Sequence, residues 1–437
     1  MSAKKRILSI LFWSVISAAF IGPGTVTTAA SSGASYGMAL LWALLFSTLA
    51  CLLLQEAAAR ISIVTGKNLG QSIADYFRNR SSKTLILLLV LGAILVGTAA
   101  YEMGNLLGAV EGIKLIFDIP PYLLVLIIGA VASALLSIPS LRIVSTILGM
   151  LVVIMGVGFL ITAIMVKPAL PELLKGTFIP SFPGPQAGML VLALIGTTIV
   201  PYNLFLGSGL SKPGQSVKEM RFGLTIAIVL GGIFSMAVLI AGSAITGEFS
   251  FEALGGVLQE RVGVAGKYLL GFGLFAAGFT SAVTAPLAAA VTLSSLFGNG
   301  QTAKWGSKSW RFRIAWILVL CTGIGFASLN IRPVPAIILA QALNGFLLPF
   351  VSIFLYVVIQ KSMYTKSLTN RITNILMLIV IYITLIIGLN SAVKAVSRLL
   401  APEFMNELIT QIIIAAFSLV AIIIVGILAR HKPENYK

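Results

Sequence analysis

Charge is what this sequence most lacks. Only 10% of its 437 residues are Asp, Glu, Lys or Arg, and the acids number 13. No soluble globular domain covers its surface with so few. The single histidine, His431, lies in the C-terminal tail, so no imidazole is left in the apolar region for a proton relay or a metal. The two cysteines, Cys51 and Cys321, both fall within apolar runs and read as core residues, not as a disulfide or a metal pair. There is no Cys/His cluster, no Walker loop and no nucleophile triad, so neither an enzyme nor a cofactor is expected. Gly271-Phe-Gly273-Leu-Phe-Ala276 has dinucleotide spacing, but no strand precedes it and it lies in a spanning run.

What is present is apolar: 58% of the residues are hydrophobic and the mean hydropathy is +1.04. Runs of spanning length begin near residues 7, 37, 84, 121, 143, 187, 222, 265, 312, 333, 372 and 407, and are called helices 1 to 12 in that order. The expected fold class is therefore all-α, a polytopic membrane protein. The basic start before the first run imitates a signal peptide, but more membrane follows it, so helix 1 is read as uncleaved.

The net charge of +17 does not call for nucleic acid, because the basic residues sort by loop. With the N-terminus inside, 22 of the 30 Lys and Arg are cytoplasmic, including Lys4, Lys5 and Arg6. Glu248, Glu252, Glu260, Glu403 and Glu407 lie outside. Both tails are thus cytoplasmic in a cell (inner) membrane, and the glycosylation-like Asn79-Arg-Ser81 falls on the inner side.

Two of the runs are interrupted. Helix 1, Ile7 to Ala30, carries Gly22-Pro23-Gly24-Thr25, and helix 6, Met189 to Leu210, carries Gly196-Thr197-Thr198-Ile199-Val200-Pro201-Tyr202-Asn203. Proline removes an amide and glycine disfavours helix. Irregular backbone at mid-depth survives only when buried in protein or lining a cavity, and paired breaks in two halves point to a transporter's substrate site. Helices 1–5 (7–166) and 6–10 (187–358) have equal counts and opposite starting sides, as an inverted 5+5 repeat requires; 372–429 adds two helices to a single transport domain. Between the halves, five prolines from Pro168 to Pro185 predict a stiff external connector, Lys167 to Gln186, without helix.

Isolated polar groups in the spans are the remaining candidates. Glu56 and Arg60 share a face at i, i+4 and predict an ion pair near the inner surface. Gly104 and Gly108 predict close helix packing. Glu102, a turn or two below the outer surface, is either a functional carboxyl or one reaching outer water. Ser281 and Thr284 share a face of helix 8 and either hold a cation or bond their own backbone. Gln341 and Asn344 of helix 10 serve as interhelical glue or as substrate contacts.

Several stretches resemble the Nramp family of divalent metal–proton transporters: Gly33-Ala-Ser-Tyr36-Gly37, Ala39-Leu-Leu-Trp42, Leu54-Gln55, Ala59-Arg60 and Val64-Thr-Gly-Lys-Asn-Leu69. So do Ile195-Gly196, Pro201, Asn203-Leu204, Leu206 and Ser208 on helix 6, and Gln341-Ala-Leu-Asn344-Gly345 with Leu348-Pro-Phe350 on helix 10. The resemblance spans helices 1–10 and implies the leucine-transporter fold of the amino-acid/polyamine/organocation superfamily, with helices 1 and 6 broken. It also implies metal ion transport by symport, through a site at Gly22, Thr25, Thr197, Val200, Tyr202, Asn203, Gln341 and Asn344. Read from the residues, coupling falls to a proton on Glu102, beside Asn105, with Na+ held by helix 1 carbonyls, Ser281 and Thr284 as the competing account.

The departures from the family fall on the chemistry. Its Asp-Pro-Gly-Asn is Gly22-Pro23-Gly24-Thr25 here, its helix 6 Met is Val200, its two histidines are Tyr202 and Gly207, and one acid of its helix 3 pair is Asn105. Neutral oxygens hold Mn2+ or Fe2+ poorly, and the soft thioether that selects them is missing. A small anion or polar organic solute is the alternative, bound at amides of a half-helix beginning at Thr25 whose positive end no acid opposes. A transporter-like receptor is the second alternative. The expected partners are the lipid bilayer and the transported ion or solute, and the chain is expected to act as a monomer.

The topology has a direct test. With Cys51 and Cys321 replaced, a cysteine at position 175 should react with an impermeant reagent in intact cells, and one at position 308 should be protected. The reverse pattern would invert the arrangement.

Overall fold

In the computed structural model, residues 21–77, 83–138, 142–211, 216–298, 302–306, 308–329, 331–361, 370–400 and 407–430 are described. The first half of helix 1, the basic start Lys4–Arg6, Asn79-Arg-Ser81 and His431 lie outside them. The described chain is all-helical, with helix at each of the twelve expected spans. Helix 1 is seen from its break, as Pro23–Tyr36. It is followed by Leu41–Thr65, Lys83–Lys114, Pro121–Leu136 and Arg142–Val166 as helices 2 to 5. Helix 6 is two pieces, Ala187–Thr198 and Pro201–Leu210. Val217–Gly242, Ala265–Phe297, Trp310–Ala327, Pro333–Lys361, Arg371–Leu400 and Glu407–Arg430 are helices 7 to 12. Among the described residues, nine helices are long and apolar enough to cross a membrane, counting helix 6 once; helix 4 and the Val152–Val166 part of helix 5 are shorter apolar stretches.

Lipid supplies little drive for helices to associate, so close packing at small residues does that work. Three crossings bring backbone onto backbone. A Cβ on Gly33 of helix 1 or Gly242 of helix 7 would overlap the other helix's backbone. Gly196 and Gly345 stand in the same relation across helices 6 and 10. Across helices 3 and 8, a Cβ on Gly112 would lie 2.6 Å from the Gly271 carbonyl oxygen, and one on Gly271 would lie 2.8 Å from that of Gly112. Gly108 meets the ring of Pro23, so the close packing expected of Gly104 and Gly108 includes the break itself.

The connector between the halves corrects an expectation. Leu170–Phe178 is a helix, with Pro171 in its first turn. There the missing amide has no helical partner to lose; Pro168 precedes the helix, and Pro180, Pro183 and Pro185 follow its end. The segment is fastened to the turn after helix 1: Trp42 Nε1 donates to the Ser181 carbonyl at 3.2 Å, and Ser181 Oγ donates to that of Ala39 at 3.1 Å. Cys321 is a second correction. It is exposed on helix 9, whereas Cys51 is buried as expected. An apolar helix has a lipid-facing side, and hydropathy does not distinguish it from the core.

Glu56 pairs with Arg60 as expected, and also accepts from Arg221 Nε of helix 7 at 2.7 Å. The pair thereby ties helix 2 to helix 7.

Helix crossings at bare backbone make a testable difference between glycines. Gly196→Val should lower stability in detergent by about 1–3 kcal/mol or more through overpacking. Gly92→Val, on an open face of helix 3, should leave the melting temperature unchanged.

Candidate functional site

The two breaks face each other. Gly22 is the N-cap of the second half of helix 1, in extended conformation, and Pro23 opens that half. Ile199 and Val200 separate the halves of helix 6; Val200, also extended and fully buried, caps the second half, which Pro201 opens. In each case the proline sits where its absent amide has no helical role.

The half-helix therefore starts at Pro23 and not at Thr25. The amides of Thr25 and Val26 turn back onto the Gly22 carbonyl at 3.0 and 3.2 Å. Pro23 has no amide, so the N-terminus offers far fewer free donors than the anion alternative assumed.

Thr25 and Thr197 join the broken helices through a hydrogen bond between their hydroxyls, 2.9 Å long. Thr197 also bonds the Tyr101 side chain of helix 3, and Tyr101 meets Tyr202 edge-on, with ring centroids 5.6 Å apart. Gln341 lies against the backbone of Gly24, in space that a Cβ there would take, with Gly104 on its other side. Both its amide atoms are buried without a partner, as are the Tyr202 hydroxyl, Asn203 Oδ1 and Ser281 Oγ. Unpaired polar atoms are rare in protein interiors, and here they gather around the two breaks.

Glu102 is fully buried, which removes the reading in which it reaches outer water. Its stem lies on Gly323 of helix 9, its Oε1 has no partner, and its Oε2 accepts from Asn105 Nδ2 at 3.4 Å. Asn105 in turn extends toward Gly22. A Cβ on that glycine would lie 3.3 Å from Ser281 Oγ, 3.6 Å from the Tyr101 hydroxyl and 3.9 Å from Asn105 Oδ1. Glu102 thus stands behind Asn105, one side chain removed from the break.

Two candidates point elsewhere. Thr284 Oγ1 donates to the Thr280 carbonyl of its own helix, which leaves Ser281 without the expected partner. Asn344 Nδ2 donates to the carbonyls of Gly97 on helix 3 and Ala340 on helix 10, at 3.3 and 3.2 Å, as interhelical glue. Sequence reasoning missed three contributors. Tyr101 was legible in principle, since it shares a helix face with Asn105 at i, i+4. Gly24 is the cradle for Gln341, and Gln55 Nε2 donates to the Asn203 carbonyl at 3.0 Å from helix 2; neither left a signal in spacing. Below them, Ser208 Oγ bonds Ser62 and accepts from the Leu69 amide, both at 2.7 Å.

Chemically, the arrangement is a cage of neutral hydroxyls and amides with one carboxyl set behind it. Among the described residues, no three His, Cys, Asp or Glu converge as metal ligands would.

A family model described as "Natural resistance-associated macrophage protein-like" matches residues 14–394. The "Divalent metal cation transporter MntH" of Bacillus subtilis (strain 168) is 29% identical over 374 residues, 80% of this chain and 84% of that one. Its namesake in Verminephrobacter eiseniae (strain EF01-2) is 28% identical over 364 residues, 77% of each. Among solved structures, the Eremococcus coleocola manganese transporter in complex with an aromatic bis-isothiourea substituted compound superposes with a TM-score of 0.72. It is 20% identical, covering 98% of this chain and 95% of that one. Mhp1, a nucleobase-cation-symport-1 family transporter in a closed conformation, gives 0.55 at 17% identity, with 97% and 93% covered. These likenesses give the fold, the leucine-transporter arrangement.

The inter-break bond is measurable by a double-mutant cycle. Thr25→Val and Thr197→Val should each destabilise the protein, with a coupling of about 1 kcal/mol between them. Additive effects would show that the hydroxyls act separately.

Proposed function

The chain belongs to the natural resistance-associated macrophage protein-like (Nramp) family, and from that premise we propose that it is a secondary active transporter of a metal ion whose substrate site lies at the breaks of helices 1 and 6. It is a multi-pass membrane transporter and not an enzyme. The Thr25–Thr197 bond carries the reading of the site, because it joins the two broken helices where unpaired buried polar atoms collect. Gly22, Thr25, Thr197, Val200, Tyr202, Asn203 and Gln341 would line the site, and Glu102 with Asn105 would serve coupling. Asn344 would act on it from helix 10 through packing.

The relatives' names include divalent metal, and this chain keeps their scaffold while losing charge at the site. A divalent ion leaving water needs anionic or many oxygen ligands, and a transition metal is selected by softer ones. The hydroxyl and amide cage supports a site that holds Mn2+ or Fe2+ weakly. Binding from one side and release to the other would follow from the rocking of helices 1, 2, 6 and 7 against the remainder. The bonds of Ser62, Gln55 and Leu69 to the second half of helix 6 would close the inner side. The distribution of basic residues supports an inner-membrane orientation with both tails cytoplasmic.

Calorimetry on purified protein tests the ligand set. The unmodified chain should bind Mn2+ weakly. Gly22→Asp, Thr25→Asn and Val200→Met together should raise affinity at least about tenfold, or 1.4 kcal/mol. A Cβ at position 22 would lie 3.3 Å from Ser281 Oγ, so that hydroxyl has to shift by a few tenths of an ångström to admit the new side chain. Tight Mn2+ binding before any change would overturn the assignment.

A further inference from the structure

Each ion pair among the described residues uses an acid of the first half. Arg60 and Arg221 meet Glu56, Lys67 meets Asp75, and Lys114 meets Glu111. The second half has a long stretch with nothing comparable, because no Asp or Glu occurs between Glu260 and Glu403. Within it, Lys304, Lys308, Arg311 and Arg313 gather where helix 8 ends and helix 9 begins. All four are exposed, and none pairs with a described acid. Like charges so close repel one another. An anion that joins them is therefore favoured both by its own attraction and by the repulsion it relieves.

The segment that carries these charges is fastened at several points. Ser294 Oγ of helix 8 donates to the Trp305 carbonyl at 2.9 Å, and the Trp305 ring stacks on Phe297 with centroids 6.2 Å apart. Ser309 caps helix 9. Its amide donates to the Gly306 carbonyl at 2.8 Å, and its Oγ accepts from the Phe312 amide at 3.3 Å. Between these fixed points the Arg311 guanidinium lies 5.8 Å from the Trp305 ring centroid and 5.9 Å from that of Trp310. Such contacts use the flat face of a guanidinium and hold it before any ligand arrives. Its N–H edge stays free, and that planar fork matches two oxygens of a phosphate.

The surface beyond Trp310 says what kind of phosphate fits. Trp310 is 67% exposed, and Ile314, Ile317 and Leu318 are exposed as well. At i+4, i+7 and i+8 from Trp310 they form one apolar stripe along helix 9, and Arg311 and Arg313 flank its start. On a spanning helix an exposed apolar stripe faces acyl chains, and indole rings settle at the level of the headgroups. A soluble phosphate would use only the charges. A phospholipid would use both, the charges for its headgroup and the stripe for its chain.

We propose that the start of helix 9 is a binding site for an anionic phospholipid, with its headgroup on Arg311, Lys308 and Arg313 and an acyl chain along Ile314, Ile317 and Leu318. The site needs only that the chain spans a membrane, so it stands apart from the reading of the helix breaks. In the orientation proposed above, the lipid comes from the cytoplasmic leaflet, whose anionic headgroups attract basic segments. Because Ser294 holds Trp305, a bound lipid also steadies the end of helix 8. There a Cβ on Gly70, in the short helix Leu69–Tyr76, would lie 2.6 Å from the Ser295 Cβ. The headgroup thus sits one helix away from the segment whose Leu69 amide bonds Ser208 of helix 6.

Quenching of tryptophan fluorescence by brominated lipid tests the proposal. The full chain is reconstituted in phosphatidylcholine vesicles, with brominated phosphatidylglycerol or brominated phosphatidylcholine as the minor lipid. The anionic lipid should quench more at equal mole fraction, and the excess should be lost when Trp305 and Trp310 are both replaced by Phe. Arg311→Gln should lower the relative affinity for phosphatidylglycerol about fivefold. Arg311→Lys, which keeps the charge without the planar fork, should lower it nearly as far. Lys218→Gln, which removes an exposed charge at the start of helix 7, should leave it unchanged. The melting temperature in phosphatidylcholine shows that each variant is folded. Equal quenching by the two lipids, or an excess that survives loss of both rings, overturns the site. Parental affinity in Arg311→Lys, or an equal loss in Lys218→Gln, would mean diffuse attraction and overturns it too. Inorganic phosphate or an acidic peptide, at matched ionic strength, should not displace the lipid; displacement by either would assign the charges to a soluble ligand instead.

Discussion

Backbone that leaves its helix in the middle of a membrane cannot turn to lipid for hydrogen bonds, and much of the arrangement around helices 1 and 6 follows from that constraint. Each break finds its partners within the protein. The Gly22 carbonyl takes the amides of Thr25 and Val26, the Ile199 amide reaches the Ile195 carbonyl, and the Asn203 amide reaches that of Val200. Gln55, from helix 2, bonds the Asn203 carbonyl. The hydroxyls of Thr25 and Thr197 then bridge the breaks. An unwound segment is stable here because helices 2, 3, 8 and 10 surround it, and the same enclosure gathers buried polar side chains around it.

The scaffold and the polar chemistry around the breaks have separate physical origins. Helix crossings depend on small residues, and Gly33, Gly112, Gly196, Gly242, Gly271 and Gly345 allow backbones to touch. None of those positions is concerned with charge. A chain can therefore keep the packing of its family while carrying neutral residues, Gly22, Thr25 and Val200, at the two breaks. Glu102 remains, fully buried, with Asn105 as a hydrogen-bond donor to it. A buried carboxyl is costly, and Asn105 Nδ2, donating to Glu102 at 3.4 Å, offsets part of that cost.

Motion is constrained by the same contacts. Glu56, held by Arg60 and Arg221, ties helix 2 to helix 7. The connector helix Leu170–Phe178 and its bonds at Ala39 and Trp42 hold the turn after helix 1 from the other side. Between these fastenings, the second half of helix 6 is held by hydroxyl and amide bonds to Ser62, Leu69 and Gln55, each a contact of modest net strength.

The positions of the described helices, the breaks at Gly22 and Ile199–Val200, the Glu56–Arg60 pair and the polar residues near the breaks were legible in the sequence. Each depends on the chemistry of a residue and its neighbours along one helix: hydropathy summed over a run, a missing proline amide, an i, i+4 spacing. What the sequence left open needed a partner on another helix. Ser281 and Thr284 share a face, yet one hydroxyl turns to the break and the other to its own backbone. Gln341 and Asn344 are equally polar, yet one lies on Gly24 and the other bonds Gly97. Cys321 and Cys51 sit in similarly apolar runs, but only Cys51 is covered. The helix at Leu170 was hidden because proline forbids a helix interior and permits a first turn, and composition does not say which applies. Depth within a helix, rotation about its axis and the identity of the opposing residue are set by packing between elements distant in the chain; only the tertiary structure decided them, because a buried polar group is defined by what it meets.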